Sequence, residues 1–498
     1  MQHNLQLFID NEWCDSVSGK TFESINPATT NPIASVSEAT SDDVDLAVSA
    51  AQRAFESGVW SDLEPDERAS VLIKVAELLR RRAKEFAELE CRDTGKPISE
   101  TLAIDIPYSI RAFEYFANIS REIKGEVIPV PGRQVFDFQT YEPHGVVAAI
   151  TPWNFPLHLF TRATCPALAT GNTVVAKSSP LTPVTCAMMG ELFLEAGCPP
   201  GVINIIHGGA EAGSALVSHR HVRMITFTGS EAIGRQVMEG SARSPIIKKM
   251  VLELGGKGPL IADSDCDIDG AVNSALVGFC LTQGQVCCAT TRLYLHEDIY
   301  DAYLSLLRER IDRLIIGDPM NPQTQFGAMM SLDQLERVDH LVKDAVNDGA
   351  RVLTGGEIYR VPPCDQGWFY RPTVLETDDN SLRCMQEEIF GPVLAVVKYK
   401  KLEDAIRMAN DSSFGLGASI WSNDVKTLFS AGRKLDAGTV WMNTNLMSTM
   451  EAPFGGNKNS GIGREYGMHA IHEYMKIKNQ ILHTAPGFPD HYGFSSTE

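Results

Sequence analysis

GVVAAITPWNFP, residues 145–156, is a short β-branched run that ends in a proline-bounded polar turn. The pattern recurs in NTVVAKSSP (172–180), GVINIIHGG (201–209), RMITFTGS (223–230) and KMVLELGGKGP (249–259). Stretches of helical character, 182–196 and 210–217, lie between these runs. Strands that lack clean alternation and are separated by helices are buried on both faces. The stretch therefore predicts a parallel sheet with crossover helices, a doubly wound α/β layer. Ligands of such sheets sit beyond the carboxyl ends of the strands, so Asn154, Lys177, Gly208, Gly229 and Ser230 are candidates for contact.

Working outward, a second α/β set runs from about residue 260 to 450, with DAYLSLLRERIDRL (301–314) as helix and PVLAVVKY (392–399) and GTVWMN (438–443) as strands. On the other side, Val44, Val48, Ala51 and Phe55 mark one face of a helix from about Ser41. Ser61 to Glu64 reads as a capping box ahead of Pro65, and Leu72, Val75, Leu79, Ala83, Phe86 and Leu89 keep helical spacing until Gly95. The stretch GEVIPVPGRQVFDFQTY (125–141) is rich in β formers and proline and suits an excursion strand that reaches a neighbouring subunit. The tail after Ala485, with Pro486, Gly487, Pro489 and Gly493, reads as an irregular extension.

The chain has 498 residues, enough for roughly three units of ordinary size. A formal charge of −19, from 44 Lys+Arg against 63 Asp+Glu, argues against nucleic acid or an anionic membrane as partner. No apolar run reaches the length of a membrane span, and no basic segment followed by a long apolar one opens the sequence, so the expected location is cytoplasmic. Eleven scattered cysteines in such a chain are expected to be reduced thiols.

Several motifs fail on inspection. The acidic run Asp263 to Asp269 has Ile268 where a calcium loop needs glycine and Ser274 where it needs glutamate; a helix-capping turn fits better. LGGKG lacks the first glycine and final Ser/Thr of a phosphate loop. His219 and His221 have no further ligands nearby, and no metal is implied. No G-x-G-x-x-G follows a strand. Gly229 and Ser230, with Gly234, nevertheless stand at the mouth of a helix, where free backbone N–H groups suit a phosphate.

The chemistry centres on FCLTQGQVCCATTR (279–292). It resembles the cysteine signature of the NAD(P)-dependent aldehyde dehydrogenases, in which Gly-Gln and one spacer precede the nucleophile, here Gly284, Gln285, Val286 and Cys287. KMVLELGGKGP resembles the family's glutamate signature with Glu253. TPWNFP supplies Asn154, EEIFGPV (387–393) supplies Glu388 and Phe390, and PFGGNKNSGIGREYG (453–467) resembles its C-terminal signature. The motifs come in the family's order over about residues 7 to 480, closest to its betaine-aldehyde and class 1–2 branch.

The resemblance implies an aldehyde-dehydrogenase-like α/β fold. A Rossmann-like cofactor domain would comprise residues 1–124 and 144–255, an α/β catalytic domain 256–455, and a β oligomerisation arm 125–143 with 471–485. It implies attack of Cys287 on an aldehyde to give a thiohemiacetal. Asn154 and the Cys287 N–H would be donors to the oxyanion, hydride would pass to a nicotinamide, and Glu253 would activate water against the resulting thioester. Cys288 reads as a bystander. Thr151, Pro152, Trp153, Lys177, Ser179, Gly208, Gly229, Ser230, Gly234, Leu254, Glu388 and Phe390 would hold the cofactor. Pro180 stands where NAD-preferring members often carry a glutamate, so NAD or NADP fits, with Ser178 a further possible contact to either.

Phe155, Leu157, Leu281, Thr282 and the segment LMSTME (446–451) outline a mostly apolar substrate mouth. It would suit aliphatic, terpenoid or aromatic aldehydes, with Glu451 leaving room for a cationic one and Arg162 for a carboxylate. Two other readings use the same residues: a cysteine-dependent ester or amide hydrolase, which needs no nicotinamide, and a binding protein without turnover. Acyl transfer to coenzyme A fits less well, since Glu253 is present to activate water. The arm implies a homodimer or homotetramer.

Overall fold

A computed structural model describes residues 3–487 and 491–492. Of the residues expected in an irregular tail, Pro489 and Gly493 lie outside them.

The quoted stretch folds as its pattern demands. Strands Val146–Ile150, Thr173–Ser178, Ile203–His207, Val222–Thr228 and Lys249–Glu253 form the parallel centre of an eight-stranded sheet. Helices Pro156–Ala169, Val184–Ala196, Ala210–Ser218 and Glu231–Ala242 make the crossovers. In space the five strands run fifth, fourth, first, second, third, so the order reverses between Val146–Ile150 and Val222–Thr228. At such a switch point the connections leave in opposite directions and open a crevice at the carboxyl ends. The turns 151–154 and 229–230 border it. Leu7–Ile9 and Glu12–Cys14 extend the sheet at one edge. At the other edge Gly461–Ile462 pairs antiparallel with Leu252 and Glu253.

A seven-stranded sheet carries the second half. It is built on parallel strands Thr373–Glu376, Val393–Tyr399, Thr290–His296, Gly258–Ala262, Gly417–Trp421 and Thr439–Met442, with Arg351–Thr354 antiparallel at the edge. A separate three-stranded sheet joins Glu126–Ile128, Val135–Pro143 and Met475–His483, the last two paired over nine residues.

Local signals were shifted in two places. The first helix begins at Ser41 as expected. The second starts at Pro65, but Glu64 is its cap, its N–H bonded to Glu67 at 2.9 Å, and Ser61 lies upstream. The long helix expected to reach Gly95 is two, Pro65–Arg81 and Ala83–Thr94. Arg82 leaves helical geometry between them, and its guanidinium is held by Glu85 and Glu191. Gly95, at φ +74°, ends the second, as a left-handed terminus requires. Among the described residues no helix is long and apolar enough to cross a membrane.

Candidate active site

Cys287 lies in a turn between the 3₁₀ segment Leu281–Gly284 and the strand Thr290–His296. Gly284 is required there: its φ is +71°, and a Cβ would fall 2.2 Å from the Gly391 carbonyl oxygen. The turn presents the thiol to two cavities at once. One, about 240 Å³, is the crevice at the switch point, lined by Pro152, Trp153, Asn154, Gly229, Ser230, Glu253, Glu388 and Phe390 among others. The second, about 160 Å³, opens on the other side and is walled by Tyr108, Phe155, Leu159, Leu281, Val286, Trp441 and Phe454, with Arg162 and Cys288 also in its lining.

The electrostatics differ sharply between the two sulfurs. A hydrogen bond from Cys288 holds the Cys287 thiol below its ordinary pKa; burial opposes this, while Arg162 and the N–H groups of both cysteines assist. Cys288 is pushed well up, first by that same bond and then by burial. Cys287 is thus the better thiolate of the pair. Glu253 ends its strand fully enclosed, with neither carboxylate oxygen hydrogen-bonded. Burial raises its pKa well above the usual range, against the pull of Arg162 and with help from Glu465 and Cys287. Asn154 Nδ2 donates to the Gln285 carbonyl oxygen at 2.9 Å.

The crevice fits a dinucleotide. Trp153 and Phe390 meet edge to face with centroids 5.2 Å apart, an apolar wall for a flat ring. Glu388 accepts the Gly256 N–H at 2.8 Å, and burial raises its pKa to about 7. It comes so close only because Gly255 has no Cβ, which would fall 2.4 Å from its carboxylate. Ser230 caps Glu231–Ala242, a helix N-terminus aimed at the crevice mouth.

Thr151, Lys177, Ser179, Gly208, Gly234 and Leu254 lie outside the crevice lining, along or near the same carboxyl edge. Lys177 donates to the Ser178 carbonyl at 3.1 Å, and burial lowers its pKa to about 8. Gly234 gives way to Leu254, whose Cδ2 would meet a Cβ at 2.5 Å. Ser178 faces inward, its hydroxyl 2.7 Å from His207 Nδ1, and offers nothing to a ligand.

Three expected substrate contacts are corrected. Leu157 is fully buried in the core, because the helix starting at Pro156 turns it inward and presents His158, Leu159 and Arg162 instead. Thr282 is also buried, bonded to Glu100. Glu451 points into solvent and pairs with Arg111 at 2.6 Å, which removes the expected support for a cationic aldehyde; from its segment Leu446 and Ser448 border the cavity.

Sequence reasoning gave no role to Glu465 and Tyr466, although both lie in the quoted C-terminal signature. Tyr466 hydroxyl and His158 Nε2 are 2.8 Å apart in the cavity wall. Arg162, 3% exposed, lies about 6 Å from the Phe454 and Tyr466 ring centroids.

A doubly wound sheet with a crevice at its switch point on one side of a low-pKa thiol, and an apolar cavity on the other, defines an α/β protein with a thiol set between two binding cavities. The chain belongs to the aldehyde dehydrogenase family, whose model matches residues 13–480. It is 39% identical over 484 residues to "Aldehyde dehydrogenase, cytosolic 1" of Mus musculus, covering 97% of this chain and 95% of that one. It is 40% identical over 475 residues to "Aldehyde dehydrogenase family 2 member B4, mitochondrial" of Arabidopsis thaliana, covering 95% and 87%. An NAD+ complex structure of aldehyde dehydrogenase from Bacillus cereus superposes with a TM-score of 0.94 at 38% identity, covering 97% of each chain. The protein is accordingly an enzyme that oxidises an aldehyde with NAD(P)+.

Proposed function

We propose that oxidation proceeds through a thioester on Cys287 that Glu253 clears with water. The observation that carries this reading is the position of Cys287 in the walls of both cavities. Its thiolate adds to the aldehyde carbon from the apolar side, and the carbonyl oxygen takes the electron pair. Asn154 and the Cys287 N–H stabilise that oxygen. When bound, NAD(P)+ accepts the hydride leaving the adduct carbon. Glu253, unpaired and raised in pKa, then takes a proton from water, whose oxygen attacks the thioester carbonyl and releases carboxylate and thiol. Trp153, Phe390, Glu388 and the helix mouth at Ser230 would hold the nucleotide, with Lys177 on the adenosine side. Glu253→Gln tests the scheme: one nicotinamide reduced per Cys287, then arrest with acyl-enzyme detectable by mass. Continued turnover at the wild-type rate would refute the base.

The cavity's aromatic and aliphatic walls support an aldehyde with an apolar body. A second reading adds a carboxylate at its far end. Arg162 has one hydrogen bond, Nη2 to Thr228 Oγ1 at 2.8 Å, and no ion pair among the described residues, and a buried guanidinium favours an anionic partner. Comparing aldehydes of equal length with and without a terminal carboxylate, using wild type and Arg162→Leu, decides between the two.

The three-stranded sheet exposes Val127, Phe136, Ile477, Ile481 and Leu482, which supports its use as an oligomerisation arm in a homodimer or homotetramer. We propose three units: residues 1–124 and 144–255 for the cofactor, 256–455 for catalysis, and 125–143 with 471–485 as the arm. Eleven unpaired cysteines, eight of them buried, support a reducing compartment such as the cytoplasm.

A further inference from the structure

Two consecutive residues of the nucleophile's loop, Thr282 and Gln283, hold φ of 51° and 55°. Neither is glycine, and L-residues keep this left-handed conformation only where their surroundings impose it. Part of that constraint comes from a carboxyl group the chemistry above does not use. Oε2 of Glu100 accepts from the Thr282 N–H at 3.0 Å and from Thr282 Oγ1 at 3.2 Å. Glu100 ends the short helix Ile98–Glu100, just where the chain opens into the π-helical turn Thr101–Asp105. That turn is fixed by a fully buried ion pair, Lys96 to Asp105 at 2.7 Å, and Lys96 Nζ also lies 3.9 Å from the centroid of Phe155 in the cavity wall.

From Thr282 the contacts run on toward the chemistry. Gln285 Nε2 donates to the Thr282 carbonyl at 3.1 Å, and Gln285 Oε1 accepts from the Met330 N–H at 3.0 Å. The main-chain oxygen of Gln285 holds the Asn154 amide. Two residues later comes Cys287.

We propose that Glu100 is a positioning residue for both the nucleophile and the oxyanion donor. It touches neither substrate nor nucleotide. By clamping Thr282 it fixes the turn that sets Gln285, and through Gln285 it sets Cys287 on one side and Asn154 on the other. The proposal rests on the reading of Cys287 as nucleophile.

The test uses the full-length protein and four variants: Glu100→Ala, Glu100→Gln, Glu100→Asp and Thr101→Val. Thr101→Val is the structural control. It removes the neighbouring bonds from Thr101 Oγ1 to the Ala87 and Ile98 carbonyls, at 3.0 and 3.1 Å, and leaves the loop clamp alone. Three quantities are read: the rate of Cys287 carbamidomethylation by iodoacetamide, followed by peptide mass; kcat and KM; and the unfolding midpoint.

Glu100→Ala should lower Cys287 labelling and kcat together by about tenfold, with the nucleotide KM within about twofold. Glu100→Gln keeps an acceptor oxygen at the same reach and should recover most of both. Glu100→Asp keeps the charge but withdraws the oxygen and should not, which keeps the test decisive if the alanine variant fails to fold. Thr101→Val should lower the midpoint while labelling stays within about twofold of wild type. Wild-type labelling in Glu100→Ala, recovery by Asp instead of Gln, or an equal labelling loss in Thr101→Val would overturn the proposal. Aldehyde oxidation persisting in Cys287→Ala would instead overturn the reading beneath it.

Discussion

Asn154 is tied to Gln285, its side-chain amide donating to the main-chain oxygen at 2.9 Å across 131 residues of sequence. One amide hydrogen serves that bond, and the second is left for an oxygen gaining charge beside Cys287. Asn154→Ala should therefore lower kcat by about 10²- to 10³-fold, roughly 3–4 kcal/mol of barrier. Iodoacetamide labelling of Cys287 should survive, since the thiolate does not depend on that hydrogen. Steady-state nicotinamide absorbance checks the first outcome and peptide mass the second.

Cys287→Ala should abolish aldehyde oxidation, whereas Cys288→Ala should retain it with a displaced pH profile. The Cys288 hydrogen bond is the largest influence lowering the Cys287 pKa. Without it that pKa rises, so the acidic limb of kcat/KM moves to higher pH while the plateau rate stays near wild type. Loss of activity in Cys288→Ala alone would reverse the assignment.

Gly255→Ala places a Cβ 2.4 Å from Glu388 Oε2. The flexible carboxylate yields, and its bond to the Gly256 N–H goes with it. The nucleotide KM should rise about tenfold, in line with one lost charged hydrogen bond, and the aldehyde KM should change much less. Initial rates with each substrate varied in turn measure both.

Asp93 is fully buried, accepting from the Val184 N–H at 3.0 Å and from the Ser24 hydroxyl. Burial raises its pKa from 3.8 to about 7. A carboxyl group raised on folding contributes stability that is complete below its unfolded pKa and lost as pH climbs through the folded value. Asparagine fills the same space without that penalty. Between pH 5 and pH 8 wild type should lose about 2–3 kcal/mol relative to Asp93→Asn, seen as a widening gap between their urea midpoints. A constant gap would show that Asp93 stays ionised throughout.

The parallel sheet was legible because a strand buried on both faces leaves a continuous apolar run, and five such runs alternate with helices. The two-residue strand Gly461–Ile462 leaves no such trace, since pairing of that length is decided by tertiary contacts. Side-chain direction was the harder problem. Reading Phe155 and Leu157 as neighbours assumes a strand-like alternation, but Pro156 starts a helix, and the residues that share the cavity follow the three-to-four-residue step to His158, Leu159 and Arg162. Glu451 was drawn outward by Arg111, a partner 340 positions away that no local pattern discloses. The order of the motifs pointed to Cys287, Glu253 and Asn154 as a group, whereas Glu465 and Tyr466 needed coordinates, because a residue inside a signature carries no label saying which way it faces.

The pairing of Gly461–Ile462 with Leu252 and Glu253 also bears on how the chain is made. A ribosome delivers residues in order, so the strand that ends in Glu253 waits, with an open edge, for more than two hundred further residues before its last neighbour emerges. Chains halted after Cys287 but short of that point carry the thiol, the amide and the acid, yet leave the sheet unclosed beside the acid. Nascent chains should thus be most exposed to mispairing and to proteases along this one edge, and release from the ribosome, more than completion of either sheet's helices, should mark the onset of activity.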